Sequence, residues 1–335
     1  MQAAIYGLAG ESLSADERAF FRDADPAGYI LFRRNCVDRV QLRALTDDLR
    51  ALSGRDELPI LIDQEGGRVA RIRPPEWPAF PPGERFAALY QRAPMSAIEA
   101  ARANAQAIAL VLREAGVNVD CLPLLDVRQP GASDIIGDRA LGSEPMQVAA
   151  LGRATLDGLA AGGVVGVVKH MPGHGRARVD SHKELPVVTA DEAALAVDLE
   201  PFRTLRNAPM GMVAHIVYTA WDPDRPSSLS PIVIGEVIRG RIGFDGFLMT
   251  DDLGMDALAG GFGERARRAV EAGCDAALHC SGAMEEMVAV AAAVGALSEQ
   301  GCERLARAMA SASGPVAGGS YEALAEKRDQ LLALA

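Results

Sequence analysis

Nothing in this chain of 335 residues reads as a conventional membrane span, because no run of about 18 or more apolar residues occurs in it. Positive charge is also short: 34 lysines and arginines stand against 45 aspartates and glutamates, a formal net charge of −11. Nucleic-acid binding needs a basic face, so that class of partner is excluded. An anionic small substrate is not, since a few local arginines can outvote the global field. Cysteine is sparse: Cys36, Cys121, Cys274, Cys280 and Cys302 form no CxxC pair. An odd, dispersed set suits a reducing compartment better than a disulfide framework. The opening Met1-Gln2-Ala3-Ala4-Ile5-Tyr6-Gly7 lacks the basic start and apolar stretch of a secretion signal. These absences lead us to expect a cytoplasmic protein with no membrane contact and no obligatory protein partner.

What is present is a repeating unit. Hydrophobic residues make up 49 %, enough for a large core. Short apolar runs recur at 3–8, 28–32, 59–63, 117–125, 164–169, 210–215, 246–251 and 275–279, with helical patterns between them. That alternation predicts parallel strands joined by helices, and eight such strands are what a closed (β/α)8 TIM-like barrel needs. Most runs are apolar throughout, as strands covered on both faces must be. Ser14-x-x-Glu17, Ser96-x-x-Glu99 and Thr189-x-x-Glu192 read as capping boxes, and Ser230-Pro231 as a helix start. Gly162-Gly163 and Gly273 read as helix stops. We expect one α/β domain over 1–335, the barrel occupying about 1–281 and a helical segment 282–335, with a break at 313–319.

Three of the five histidines fall within thirteen residues, in Lys169-His170-Met171-Pro172-Gly173-His174-Gly175 and Asp180-Ser181-His182. The other two, His215 and His279, also end apolar runs. Imidazole changes charge near neutrality, and barrel enzymes keep their chemistry at strand ends, so this placement marks an enzyme. Beyond the other strands lie Asp63, Glu65 and Arg71, then Asp126 and Arg139, then Asp251-Asp252. Side chains alternate along a strand, so only one of the two aspartates can enter the barrel mouth, as nucleophile or metal ligand, unless the pair merely caps the next helix. Asp180 can hold His182 in one tautomer and make it a general acid/base. Lys169 suits a charged donor to substrate hydroxyls. Arg71 and Arg139 are candidate substrate contacts, whereas His215 and His279 read as satisfied core histidines. His170 and His174 have an i, i+4 spacing, but Pro172 and Gly173 prevent a helix from aligning them on a metal. No His-x-His pair ends the first strand, as a zinc barrel of the amidohydrolase sort would want. Neither metal nor cofactor is expected.

The block from Lys169 to Gly175, with Asp180-Ser181-His182 and Pro186, resembles the signature of family 3 glycoside hydrolases of the β-N-acetylhexosaminidase type. Ile62–Arg71, the run 28–35 and Thr250-Asp251-Asp252-Leu253-Gly254-Met255 are similar to its other blocks, in order over about residues 28–256. The chain looks like the single-domain bacterial members that recycle peptidoglycan. That resemblance implies Asp251 as nucleophile, His182 as acid/base with Asp180 as its partner, and a sugar site of Asp63, Arg71, Arg139, Lys169 and His170. It implies a small carbohydrate substrate: a muropeptide or GlcNAc-anhydroMurNAc, losing its terminal GlcNAc with retention of configuration. Met171 and Thr250 depart from the usual phenylalanine and serine. Gly173 and Gly175 are read as hinges that let the loop close over substrate. A metal-dependent amidohydrolase, a catalytically dead sugar-binding barrel and phosphorolysis in place of hydrolysis stay open as alternatives.

Overall fold

The eight apolar runs form the eight strands of a closed barrel in the computed structural model, which describes residues 1–180, 184–314, 316 and 318–335. They are β1 (Gln2–Gly7), β2 (Pro26–Leu31), β3 (Ile60–Ile62), β4 (Val119–Asp120), β5 (Val165–Met171), β6 (Met210–Val213), β7 (Phe247–Asp252) and β8 (Ala276–His279). Each pairs in parallel with its sequence neighbours, and β8 closes on β1 with Ala4 opposite Ala277. The fourth run is shorter than expected. Pro123 offers no N–H to a ladder, and pairing resumes only at the single bridge from Leu124 to Lys169. The fifth is longer and carries its pairing through His170 to Met171.

Alternation decides which side chains fill the barrel. Ala3 and Ile5, Val165 and Val167, Met210 and Met212, Phe247 and Met249, and Ala276 and Leu278 share one buried cluster inside it. Tyr6, Tyr29, Ile60 and Ile62 face outward against the helices. Both faces are covered, which is why the strands read as apolar throughout.

The surrounding helices are α1 (Ala15–Ala24), α2 (Arg39–Ser53), α3 (Gly83–Tyr90), α4 (Pro94–Glu114), α5 (Pro145–Ala161), α6 (Glu192–Thr204), α7 (Phe262–Glu271), α8 (Met284–Ala293), α9 (Glu299–Ala310) and α10 (Tyr321–Leu332). A π-helix at Val233–Ile242 stands between β6 and β7. Ser14 and Glu17 form the expected capping box, and Ser230 Oγ accepts the Val233 N–H at 3.1 Å. Two caps lie elsewhere than expected. The helix assigned to start at Ser96 starts at Pro94, whose fixed φ suits a first turn. Asp191 rather than Thr189 caps α6, accepting the Ala194 N–H, because a carboxylate there also opposes the helix dipole favourably. Gly163 and Gly273 follow α5 and α7 with φ of +79° and +113°, a region open to glycine, which explains both stops.

The C-terminal segment does more than extend the chain. Leu305, Ala308, Met309 and Ala312 on and after α9 join the interior cluster with Ile5 and Val165 and close the barrel's lower end. Helix α10 packs along α4. Among the described residues no helix is long and apolar enough to cross a membrane.

Candidate active site

Strand parity continues past the end of each strand into the barrel mouth. The inward series Phe247, Met249 reaches Asp251; Val165, Val167 reaches Lys169; Leu61 reaches Asp63; Leu278 reaches Cys280. All four side chains line one cavity of about 240 Å³ at the C-terminal face, together with Phe32, Glu65, Arg71, Arg139, His170 and His174.

Beyond β3 the chain turns back on itself. Residues Gln64–Gly66 pair antiparallel with Val69–Ala70 through a turn at Gly66 and Gly67. Gln64 points away from the cavity and ties the two arms: its side-chain oxygen accepts the N–H groups of Arg71 at 3.0 Å and Ile72 at 3.2 Å. Asp120 Oδ1 accepts the Gln64 N–H at 3.0 Å from beneath. This fold brings Arg71 to within 2.9 Å of Asp63. It also needs glycine at the turn, since a Cβ on Gly66 would meet the Pro81 carbonyl at 2.3 Å.

Lys169 sits between two carboxylates, 3.0 Å from Asp63 and 2.7 Å from Glu65. Arg139, delivered by the short helix Gly137–Arg139, grips Glu65 with two bonds of 2.8 Å. Burial opposes every charge here, but the partners prevail. Lys169 is held above its ordinary pKa by Asp63 and Glu65 against desolvation. Asp63 and Glu65 lie below theirs, desolvation outweighed by Lys169 and the arginines. The result is a fixed array of three cations and two anions whose remaining hydrogen-bonding capacity faces the cavity. Burial pushes the Asp120 carboxyl well up.

A second cluster lies beside it. Asp126 Oδ2 is 2.8 Å from His170 Nδ1, and its Oδ1 accepts the backbone N–H groups of His170 at 3.2 Å and His174 at 2.6 Å. The two imidazoles meet edge to face at 5.6 Å. Burial, then the neighbouring His170, lower the His174 pKa to about 4, with Asp126 opposing. Unfolded, that imidazole titrates near its ordinary value of about 6.5. The unfolded chain therefore takes up a proton on acidification that the folded chain refuses until about pH 4. Its contribution is intact above pH 6.5 and is lost as the pH falls, up to about 3 kcal/mol. The stability lost between pH 7 and 4.5, read from urea midpoints, should be larger for the native chain than for His174→Gln. Equal losses would exclude His174 from the acid response.

On the opposite wall, Asp251 Oδ1 accepts the Asp252 N–H at 2.8 Å. Asp252 also borders the cavity, but its Oδ1 accepts the N–H groups of Gly254 and Cys280, each at 3.0 Å. The second aspartate thus serves the backbone of a tight turn and of the segment after β8; it caps no helix, since Gly261 stands at the start of α7. His215 is a core histidine with both nitrogens occupied: Nε2 lies 2.9 Å from the Asp252 carbonyl and Nδ1 2.6 Å from Ser228 Oγ. A carbonyl can only accept, so Nε2 carries the hydrogen and the Ser228 hydroxyl donates to Nδ1. His279 is buried too, with Nε2 3.0 Å from Ser281 Oγ, but its Nδ1 has no hydrogen-bond partner, so of the two only His215 is fully satisfied.

Of the residues singled out in the sequence, Asp63, Arg71, Arg139, Lys169, His170 and Asp251 meet at one cavity. Asp180 lies on the loop above, half-buried, its carbonyl accepting the Glu184 N–H at 3.1 Å. His182 lies outside the described residues. Glu65 and Asp126 had no assigned role, although Glu65 stands two residues from Asp63 and so on the same side of an extended chain. The two glycines also serve packing at the loop's base. A Cβ on Gly175 would meet the Val127 carbonyl at 1.9 Å, and one on Gly173 would press on Asp198 at 3.0 Å. Both glycines permit close packing of a fixed segment, further held by Arg176 on Asp198 and by the Tyr218 hydroxyl on the Gly173 carbonyl. Among the described residues no group of three or more His, Cys, Asp or Glu is placed to hold a metal.

Residues 5–311 match the profile of the glycosyl hydrolase family 3 N-terminal domain. The beta-hexosaminidase of Alkalilimnicola ehrlichii is 43 % identical over 282 residues, 83 % of this chain and 80 % of that protein. The crystal structure of NagZ from Neisseria gonorrhoeae in complex with N-trifluoroacetyl-D-glucosamine is 30 % identical. It superposes with a TM-score of 0.86 over all of this chain and 98 % of that one. A family 3 β-N-acetylglucosaminidase from Paenibacillus gives a TM-score of 0.84 at 31 % identity, covering 98 % of this chain and 66 % of that one. With a barrel whose mouth gathers carboxylates, arginines, a lysine and imidazoles, and with relatives of this kind along most of its length, the chain belongs to glycosyl hydrolase family 3 and is a glycosidase of its β-hexosaminidase group.

Proposed function

We propose that this glycosidase is a retaining, exo-acting β-N-acetylglucosaminidase that removes the terminal GlcNAc from GlcNAc-anhydroMurNAc and its peptides during cytoplasmic recycling of peptidoglycan. One observation carries the reading: strand parity directs Asp251 into the same small cavity as the Asp63–Lys169–Glu65–Arg139 array. At about 240 Å³ the cavity is smaller than the common ligand pocket of roughly 300–1,000 Å³, which suits one terminal sugar ring rather than a chain. The ligand of the gonococcal neighbour, an N-acylated glucosamine, fits that reading. The reducing compartment is supported by five cysteines that remain free thiols.

In this mechanism Asp63, Arg71, Arg139 and Lys169 hold the sugar hydroxyls, and His170, oriented through Nδ1 by Asp126, offers Nε2. The Asp251 carboxylate attacks the anomeric carbon as the glycosidic C–O bond breaks, and protonated His182 gives its proton to the departing oxygen. Water then attacks the glycosyl ester, returning a proton to His182 and freeing Asp251. Two inversions retain configuration. Asp180 holds the His182 imidazole and supports its charge. An imidazole in place of a second carboxylate keeps negative charge away from an anionic leaving sugar such as muramic acid. Replacing His182 by Ala should slow disaccharide turnover by roughly 10²–10⁴-fold, the usual worth of acid catalysis. An aryl glycoside, whose phenol leaves with little help, should lose much less. Equal losses on both substrates would remove His182 from the acid role.

The direct test is release of phenol from an aryl β-N-acetylglucosaminide, run with and without EDTA and with and without phosphate. Turnover indifferent to EDTA, with free GlcNAc as product in phosphate, is expected. GlcNAc 1-phosphate as product would establish phosphorolysis, and activity lost to EDTA would restore the amidohydrolase alternative.

A further inference from the structure

The chain's last helix lies beyond the stretch matched to the family profile, which ends at residue 311, yet it is joined to the cavity by a short series of contacts. Arg328 on α10 is buried; it donates to the Asn104 side chain of α4 at 3.2 Å and stacks 6.0 Å from the centre of the Phe80 ring. Tyr321, one end of the same helix, meets Phe80 edge-on at 6.1 Å and 87°. Phe80 is thus gripped from two sides by one helix.

The backbone of that segment lies against the turn carrying Glu65 and Arg71. The Phe80 carbonyl accepts the Gly67 N–H at 2.8 Å. A Cβ on Gly66 would meet the Pro81 carbonyl at 2.3 Å, and one on Gly67 would meet Pro82 at 2.7 Å, so no slack separates the two strands of chain. Directly after it, Gly83 opens α3 against the backbone of Arg139, with 2.4 Å from its virtual Cβ to the Arg139 carbonyl. The segment 80–83 therefore lies against Gly66 and Gly67, next in the chain to Glu65, and against the backbone of Arg139.

We propose that α10 is a buttress for sugar binding: through Phe80 it sets the position of the Gly66–Gly67 turn and hence of Glu65, Arg71 and Arg139. Phe80 and Arg328 are positioning residues, neither of which reaches the cavity. This rests on the reading of those three side chains as the sugar site. A cluster built from buried ion pairs is sensitive to sub-ångström shifts, because its geometry has to match fixed hydroxyl positions.

The test compares Phe80→Ala, Arg328→Met and Phe80→Tyr with Leu305→Ala, a buried residue of α9 at the barrel's lower end, far from Phe80 in the packing. Two readouts are taken: KM and kcat on the aryl β-N-acetylglucosaminide, and hydrogen exchange over residues 64–71. For Phe80→Ala and Arg328→Met we expect KM to rise about tenfold with kcat within about threefold, and the Gly67 amide to exchange faster. Phe80→Tyr should restore both, and Leu305→Ala should lower Tm while leaving KM and Gly67 exchange as in the native chain. Unchanged KM and exchange in the first two variants would overturn the buttress, as would an equal rise in KM for Leu305→Ala. A native chain that does not turn over the glycoside would instead defeat the proposed activity, and exchange at 64–71 would then decide the buttress alone.

Discussion

Replacing Asp251 by Gly should abolish glycoside turnover, by at least about 10³-fold in kcat, because the proposed covalent intermediate forms on that carboxylate. The variant should fold. Asp251 lies near the end of β7, half-buried at the cavity, and its Oδ1 accepts the Asp252 N–H. Added azide should then rescue turnover of the aryl substrate and give the α-glycosyl azide, a single inversion from the side the carboxylate had occupied. The product's anomeric configuration, read by NMR, is the decisive observation. A β-azide, or a variant that keeps most of its activity, would remove Asp251 from the nucleophile's place. Asp252→Asn should behave differently. Its Oδ1 accepts two backbone N–H groups, a task an amide oxygen also performs, so turnover and stability should both stay close to those of the native chain.

The distinction between these two aspartates shows how much of the site was legible in the sequence. An apolar strand with a known period already orders its side chains: Phe247, Met249 and Asp251 share one parity, and so do Val165, Val167 and Lys169. Sequence alone could not say which parity faces inward, since both faces of a barrel strand are apolar. Closure of the barrel supplies that information, because the interior takes one set and the helices the other. The strand count and the placement of reactive residues at strand ends followed from local patterning. Strand lengths did not. Residues 117–125 read as one run, but Pro123 breaks the ladder and leaves pairing at Val119–Asp120 and a lone bridge.

What the sequence hid were partnerships made at a distance. Glu65 and Arg139 lie 74 positions apart and Asp126 and His170 lie 44 apart, and no local pattern couples either pair. The packing role of the glycines was hidden for a related reason. Gly175 carries no side chain because Val127 occupies that space, and a sequence shows the missing atom without showing what replaced it. The C-terminal segment was likewise visible as helices, but its role in closing the barrel floor depends on where α9 lands.

Lys169 is where these distant partnerships are most costly to disturb. Lys169→Met preserves the length and the apolar stem, yet leaves Asp63 and Glu65 facing each other across a buried gap with one arginine each. Breaking a buried ion pair on one side costs about 3–5 kcal/mol, here a fall in Tm on the order of 5 °C. The loss should depend on pH in a set direction. In the native chain both carboxyls lie below their ordinary range, through Lys169 and the arginines against desolvation. Without the lysine, two like charges share a site and the pKa of one must rise. That carboxyl takes up a proton as the pH falls, so the gap between native and variant stability should narrow from pH 8 to pH 5. Combining Lys169→Met with Glu65→Gln removes the stranded charge, and the double variant should be more stable than the sum of the single losses. Additive losses, or a Lys169→Met protein melting within about 1 °C of the native chain at pH 7, would mean the three groups do not act as one buried unit.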